Sequence, residues 1–450
     1  MKCFEKRLTF LLVITCVLLL FLPKINLITM AGQTAGLRID DVCLLFAAGI
    51  MFLGYARAKR SWLSIEKFFF LFFSLSVFSV CINTLLFDGG LFEFRPNILY
   101  VMRFLEYFVF FYIGYLALSL FSLLSVIKML FTLNALVVIA QWFGWVGGFA
   151  LGSYTTSIAD RPIGMTSGPW EVAFVFNIIY CVFAFSSKLD SFFPLARFIV
   201  RWNRSSFKIN FNHGILFLAF FALIAITGSR IAAIALVIAF IIRMTKGYNL
   251  LSFLKKRPIS VLIGGLAICG SLIVALNYFP SVALVERSLN IFRNENLMLI
   301  FSTWDLVDVH KQSFVDVYGS VQMGANLPYD LSFLIRIHKW IYVAKYWLTY
   351  PFAYLFGIGP GACGTALDGG VLRLFVENGL IGAGLFCMLF RSIAKIGAAM
   401  KCIVVIFFIN MCFVDIYLAY KGMSLLFFIA GYYCAEKREP ANSYLLRIVA

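Results

Sequence analysis

Leu331-Ser-Phe-Leu-Ile-Arg-Ile-His-Lys-Trp340, then Phe356-Gly-Ile-Gly-Pro-Gly361 and Asp368, closes a hydrophilic stretch running from Phe279 to Asp368. On either side the sequence is apolar almost without a break. A loop cannot cross lipid, because its backbone N–H and C=O groups would go unsatisfied there. The flanking runs therefore read as membrane helices, and the single large interruption as the place where chemistry is mounted on a rigid wall.

Composition agrees. The 450 residues are 62% hydrophobic, 18% aromatic and 13% charged, with a mean hydropathy of +0.94. A soluble domain carries about 25% charged residues. Apolar runs bounded by charge predict spans near 8–23, 41–56, 66–87, 102–121, 127–147, 168–187, 213–227, 231–245, 259–279, 370–390, 402–417 and 420–435. The expected architecture is all-α: a polytopic bundle of about twelve transmembrane helices with one large periplasmic loop containing an amphipathic helix. Residues 1–279 form about nine spans, 280–369 the loop, and 370–450 the last spans and a cytoplasmic tail. The basic, apolar N-terminus imitates a signal peptide but reads as the first span. The two helices meeting at 228–230 are expected to be short.

The net charge of +17 is divided between faces. Dense clusters fall on one side: Lys2, Lys6 and Arg7; Arg57, Lys59 and Arg60; Arg197, Arg201 and Arg204; Lys255, Lys256 and Arg257; Lys437 and Arg438. By the positive-inside rule this side is the cytoplasm, and both termini lie there. That distribution argues against nucleic acid as a partner and for the lipid bilayer. Isolated arginines fall on the other side, among them Arg103, Arg161, Arg230, Arg336 and Arg373. Outward guanidiniums at span ends suit a polyanion such as a pyrophosphate; each also has a plainer reading as a headgroup contact.

Neither metal nor disulfide chemistry has support. Eleven cysteines include no CxxC pair, and His213, His310 and His338 lack ligand spacing. No cofactor is expected. From Ser332 to Leu348, apolar Phe333, Leu334, Ile337, Ile341, Ala344, Trp347 and Leu348 recur at helical spacing. Arg336, Lys339, Tyr342, Lys345 and Tyr346 take much of the opposite arc, the pattern of a helix lying on a membrane surface and roofing a cavity; a packing helix of the outside loop fits the same pattern equally well.

Four motifs carry the functional reading. Arg161-Pro-Ile-Gly-Met-Thr-Ser-Gly-Pro169 and Phe356–Gly361 are turns whose glycine and proline bring backbone close to a ligand. Thr227-Gly-Ser-Arg230 sets a guanidinium at a helix N-terminus, which favours an anion. Val376-Glu-Asn-Gly-Leu-Ile-Gly382 buries an ionisable group, Glu377, that needs a partner such as a buried arginine.

In this order the motifs resemble those of the bacterial O-antigen polymerase and ligase family, over about half the chain. Ligases of that family carry a His-Asn pair nine residues before the glutamate; here Asp368 and Gly369 stand there, which favours the polymerase branch. The resemblance implies a glycosyltransferase of the inner membrane. It would join oligosaccharides carried on undecaprenyl diphosphate by inverting, metal-independent transfer, alongside a flippase and a chain-length regulator. It further implies substrate contacts from Arg161, Ser229, Arg230, Arg336, Gly357, Gly359 and Arg373. Asp368, Glu377 and His338 are the candidates for proton transfer. Asp368 has a second reading, as N-cap of the helix opening at Gly370. A ligase acting on lipid A core and a lipid-linked sugar transporter are the alternatives.

Overall fold

The computed structural model describes residues 2–23, 62–86, 94–148, 161–186, 205–245, 331–349, 351–363 and 367–438, with short pieces within 26–49 and at 304–309. The expected spans at 259–279 and most of 41–56, and the greater part of the 280–330 loop, lie outside the described residues.

What is described is overwhelmingly helical. The one exception is a small antiparallel ribbon pairing Asn26–Thr29 with Gly36–Arg38. Four helices contain stretches long and apolar enough to cross a membrane: Ser64–Ile82, Asn97–Ala117, Leu123–Trp142 and Gly370–Ala394. Shorter apolar helices accompany them at Phe10–Phe21, Pro169–Phe185, His213–Thr227 and Ala398–Met411. These helices make the chain a helical membrane protein.

Several boundaries differ from the sequence reading, each for a local reason. The helix expected at 102–121 begins at Phe94 and stops at Ala117, and that expected at 402–417 runs Ala398–Met411. In both cases residues ahead of the expected start join the helix, while residues 118–120 and 412–413 beyond its end form turns. The helix before Gly228 extends back to Ser205, but its apolar stretch His213–Thr227 is short as expected, and so is its partner Arg230–Met244, with 15 residues. At the start of Ser64–Leu86 the buried Glu66 carboxylate accepts the N–H of Leu63 at 2.6 Å, satisfying a donor the helix leaves open.

The core is aromatic and tightly packed. Phe69 stacks on Phe108 with centroids 3.8 Å apart, and Phe390 on Phe407 at 4.3 Å. Pro169–Phe185 is buried over nearly its whole length, packed among the helices 123–142, 205–227, 230–244, 398–411 and 420–438. Helices 94–117 and 420–438 cross backbone to backbone. A Cβ on Gly114 would overlap the Phe428 carbonyl, and one on Gly431 the Phe111 carbonyl, the small-residue contact that lets membrane helices approach closely.

Side-chain contacts sort the helix ends into two sets. Lys421 reaches the Leu19 carbonyl, and its backbone N–H reaches Glu171. Arg161 reaches Thr227, Ser79 reaches Gly357, and Tyr417 reaches Glu377. These residues assemble one end of the bundle. At the opposite end Arg243 meets Ala184 and His213, Tyr432 meets Phe121, and Lys437 meets Lys395. Phe21 and Ser64 thus belong to opposite ends, as do Met244 and Gly370.

Candidate functional site

The helix Gly370–Ala394 is broken from within. Gly379 takes φ 65 and ψ −176, and the chain resumes helically after it. The break strips the preceding turn of its usual acceptors' partners, and the Phe356–Gly361 turn fills the gap. The N–H of Ile358 donates to Val376 at 2.8 Å and that of Gly359 to Glu377 at 2.9 Å. Gly357 lies so close, at φ +75, that a Cβ there would overlap the Glu377–Asn378 peptide. The glycines expected to bring backbone up to a ligand bring it up to the protein's own helix.

This docking encloses Glu377, which has the buried arginine its position requires. Arg373, one turn earlier and fully buried, donates through Nε to Glu377 Oε1 at 2.9 Å and through Nη1 to Asp415 Oδ2 at 2.9 Å. Tyr417 donates to Glu377 Oε2 at 2.9 Å, and the N–H groups of Gly361 and Cys363 to Oε1 at 3.1 and 3.3 Å. The Tyr100 ring lies 5.8 Å from the guanidinium. A buried charge is tolerated only when paired and hydrogen-bonded, and both carboxylates and the guanidinium meet that condition.

Asp415 governs the next layer outward. Its carboxylate accepts the N–H groups of Leu367 at 2.7 Å, Asp368 at 3.4 Å and Gly369 at 3.2 Å, while Trp340 Nε1 donates to the Leu367 carbonyl at 3.1 Å. Asp368 takes φ 56, among the described residues the one non-glycine with positive φ. So held, its side chain turns away from the helix: Gly369 is the N-cap, with no side-chain capping bond. The N-cap reading of Asp368 is thereby overturned. Asp368 Oδ2 instead accepts from Arg336 Nε at 2.8 Å, with the two side chains 31% and 33% exposed.

Arg336 comes from the helix Leu331–Thr349, and of the two readings of this helix the packing one holds rather than the surface one. Lys339, Tyr342 and Tyr346, assigned to the outer arc, are buried, as are Ile337 and Ile341, while Leu348 is exposed. The helix packs on Val307, Val309, Ile358, Cys363 and Leu367, so tyrosine rings and a lysine stem serve as packing surface. Lys345 Nζ donates to the Val307 carbonyl at 2.7 Å beside the Trp304 ring. Burial pushes the Lys339 amine below its ordinary range, opposed by Asp368, with Arg373 and Asp415 also nearby. Burial likewise pushes the Cys363 thiol up, with Glu377 adding to it.

The exposed Arg336–Asp368 pair and the buried Arg373–Glu377–Asp415 cluster are thus joined through Asp415, which bonds both Arg373 and the N–H groups of residues 367–369. His338 shares the helix but lies two residues from both Arg336 and Trp340, about 200° around it at 100° per residue; it is half-buried.

Arg161, Ser229 and Arg230 form a second locus. Arg161 Nε donates to the Thr227 carbonyl at 3.0 Å, beside Gly228 and the N-cap residue Ser229, behind which Arg230 opens its helix. The turn bearing Arg161 is fixed by Gln141 Oε1, which accepts from Ile163 and Gly164, and by Asn134 Oδ1, which accepts from Met165. Glu171 clamps the turn's far side through Ser167 at 2.9 Å.

Asp415, Tyr417 and Lys339 were missed by the sequence reading. Asp415 had one available signal, as a lone carboxylate ending an apolar run. Among the described residues no group of three His, Cys, Asp or Glu is arranged to hold a metal. Neither a protein-family model nor a curated protein matches the chain.

Proposed function

We propose that the chain is a polymerase of an O-antigen-type surface polysaccharide, joining oligosaccharides carried on undecaprenyl diphosphate at the periplasmic end of the bundle. The observation that carries this reading is the Arg336–Asp368 pair, a reachable guanidinium and carboxylate standing on a buried, fully bonded frame. Glycosyl transfer needs those two functions side by side. The acceptor hydroxyl bonds to the anomeric carbon as the carbon–oxygen bond to the diphosphate breaks, a single displacement that inverts the carbon. The hydroxyl proton passes to Asp368 as general base, and the charge gathering on the departing diphosphate is met by Arg336. Arg161 and Arg230 offer further guanidinium contacts at the same end of the bundle.

The membrane arrangement is consistent with twelve spans. Ten described helices run between the two ends, and Phe21–Ser64 and Met244–Gly370 each join opposite ends, as one further span apiece at 41–56 and 259–279 would do. The end carrying Lys395, Lys437 and Arg438 is then cytoplasmic, in the inner membrane, and the site end periplasmic. A flippase upstream and a chain-length regulator are the expected partners.

A buried Arg–Glu–Asp network is also what an ion-coupled transporter of lipid-linked sugars would carry. Lipopolysaccharide banding of a deletion strain separates the two. A polymerase mutant retains one attached repeat unit and loses the ladder; a transporter mutant loses attached glycan altogether, and that result would reject the polymerase.

A further inference from the structure

We propose that Pro351–Cys363 is a re-entrant element: it lies within the bilayer leaflet at the site end and turns Phe352 and Leu355 to lipid acyl chains. The inference concerns how the chain fits its membrane and stands apart from the polymerase reading.

Sequence supplies the first argument. The 22 residues from Tyr346 to Leu367 include no charged side chain, although they lie in the stretch between two apolar regions that otherwise reads as a loop. Such a segment can enter hydrocarbon only if its backbone is satisfied from within the protein.

The backbone meets that condition. From Tyr354 to Cys363 every N–H has a protein acceptor. Tyr354 donates to the Pro351 carbonyl, Leu355 and Phe356 to that of Phe352, and Gly357 to that of Ala353. Ile358 and Gly359 donate to the span carbonyls of Val376 and Glu377, and Ala362 to Gly359. Gly361 and Cys363 donate to the Glu377 carboxylate, and Pro360 has no N–H to give. Ser79, from the neighbouring span, donates its hydroxyl to the Gly357 carbonyl at 3.3 Å. A turn in water can leave donors to the solvent; irregular backbone at membrane depth cannot.

Depth can be counted along two helices from the opposite end, which the exposed cations Lys67 and Arg391 mark. Phe78, whose ring lies 5.6 Å from that of Phe356, is 11 residues beyond Lys67. Gly379, against which the Leu355 carbonyl rests, is 12 residues before Arg391. At 1.5 Å per residue these positions are about 17 and 18 Å from the two cations. With a hydrocarbon layer of about 30 Å, both counts put the turn roughly 12 Å below the boundary at the site end.

Exposure follows the same line. Phe352 and Leu355 are 44% and 48% exposed, and beside them Phe78 and Leu380, on the two spans, are at 45% and 57%. The Phe352 ring lies 5.0 Å from that of Phe356, and Leu380 directly follows Gly379. Together they continue the outward apolar faces of the spans Ser64–Ile82 and Gly370–Ala394, faces that a bilayer covers. Lipid is therefore the occupant that this surface fits, and the glycine turn that donates to Glu377 is held between a span and the acyl chains.

The test uses the full chain in vesicles of phosphatidylcholine and phosphatidylglycerol. The photoreactive residue p-benzoylphenylalanine replaces Phe352, Leu355 or, as a lipid-facing reference, Met388, which is 50% exposed in the same span. After irradiation and digestion, peptides carrying position 352 or 355 should gain the mass of one phospholipid. Fragmentation should place the new bond on an acyl chain, as at position 388. The two positions are independent, so a variant that fails to fold at one leaves the other to decide. Adducts on the glycerol or headgroup would put the segment on the membrane surface and overturn insertion. Adducts to another part of this chain or to a second copy would show the patch covered by protein, and would overturn it equally. So would absence of adducts at 352 and 355 where 388 reacts, the result expected of side chains in water. None of these outcomes touches the polymerase reading, which rests on Arg336 and Asp368 and is tested by activity.

Discussion

The guanidinium of Arg373 and the carboxylate of Asp415 meet at 2.9 Å across 42 residues of sequence, one from inside a helix and the other from the loop joining two later helices. Through that contact the helix carrying Glu377 and the turn carrying Asp368 share a single reference point. Moving either residue moves both the buried frame and the exposed pair.

Removing the cation from that frame should be costly. Arg373→Met leaves Glu377 and Asp415 buried without their guanidinium, a loss of about 3–5 kcal/mol for a broken buried pair. We expect a strongly lowered thermal midpoint in detergent. Arg373→Met combined with Glu377→Gln should lose less than the sum of the single changes, since they share one network. Strict additivity would mean that the two residues are not coupled.

The docking of the glycine turn predicts a contrast between two alanines. Gly357→Ala puts a Cβ into the Glu377–Asn378 peptide at a backbone angle that alanine disfavours, and should cost both stability and activity. Gly384→Ala, within the helix Gly370–Ala394 on which that turn docks and with open space around it, should be neutral or slightly stabilising. Equal melting of the two variants would contradict the docked geometry.

Much of the fold was legible in sequence, and the reason is the bilayer. Long apolar runs such as Leu123–Trp142 can be little else. Glu377 announced itself too, because a charge within such a run must have a partner. The partners themselves were not legible. Asp415 and Tyr417 approach Glu377 only because the loop after Met411 folds over the end of the Gly370 helix, a contact that no local periodicity encodes. The helix 331–349 misled for a related reason: tyrosine and lysine count as polar in a periodicity reading, yet Tyr342, Tyr346 and the Lys339 stem are packing surface. Asp368 looked equally suited to cap a helix or to face outward, and the choice depended on Asp415.

The pH dependence of stability should carry the signature of Lys339. Burial lowers its amine below the ordinary lysine value of 10.5, while the unfolded chain still binds the proton up to that value. Between the two the unfolded state holds more protons, so this group's contribution to stability rises with pH. Thermal midpoints measured from neutral to alkaline pH should therefore climb more, or fall less, in wild type than in Lys339→Met. Identical slopes would show that the amine titrates normally.

At the second locus, Arg230→Ala should abolish polymer while leaving membrane insertion intact. Arg230→Lys should restore little, since a point charge lacks the planar two-point contact. Arg161→Ala should also reduce polymer, partly by freeing the end of the helix Ser205–Thr227, to which it is bonded. Polymer bands on gels, normalised to protein in the membrane, measure all three. Full activity in Arg230→Ala would remove this locus from the site.

The most direct measurement is the reaction itself: purified full-length protein with an undecaprenyl-diphosphate-linked oligosaccharide, following glycan length and released undecaprenyl diphosphate together. The account predicts one diphosphate released for every repeat unit added, with both products lost in Asp368→Asn protein that remains folded. Normal chain growth in Asp368→Asn, or no elongation by wild type supplied with its cognate lipid-linked repeat unit, would contradict it.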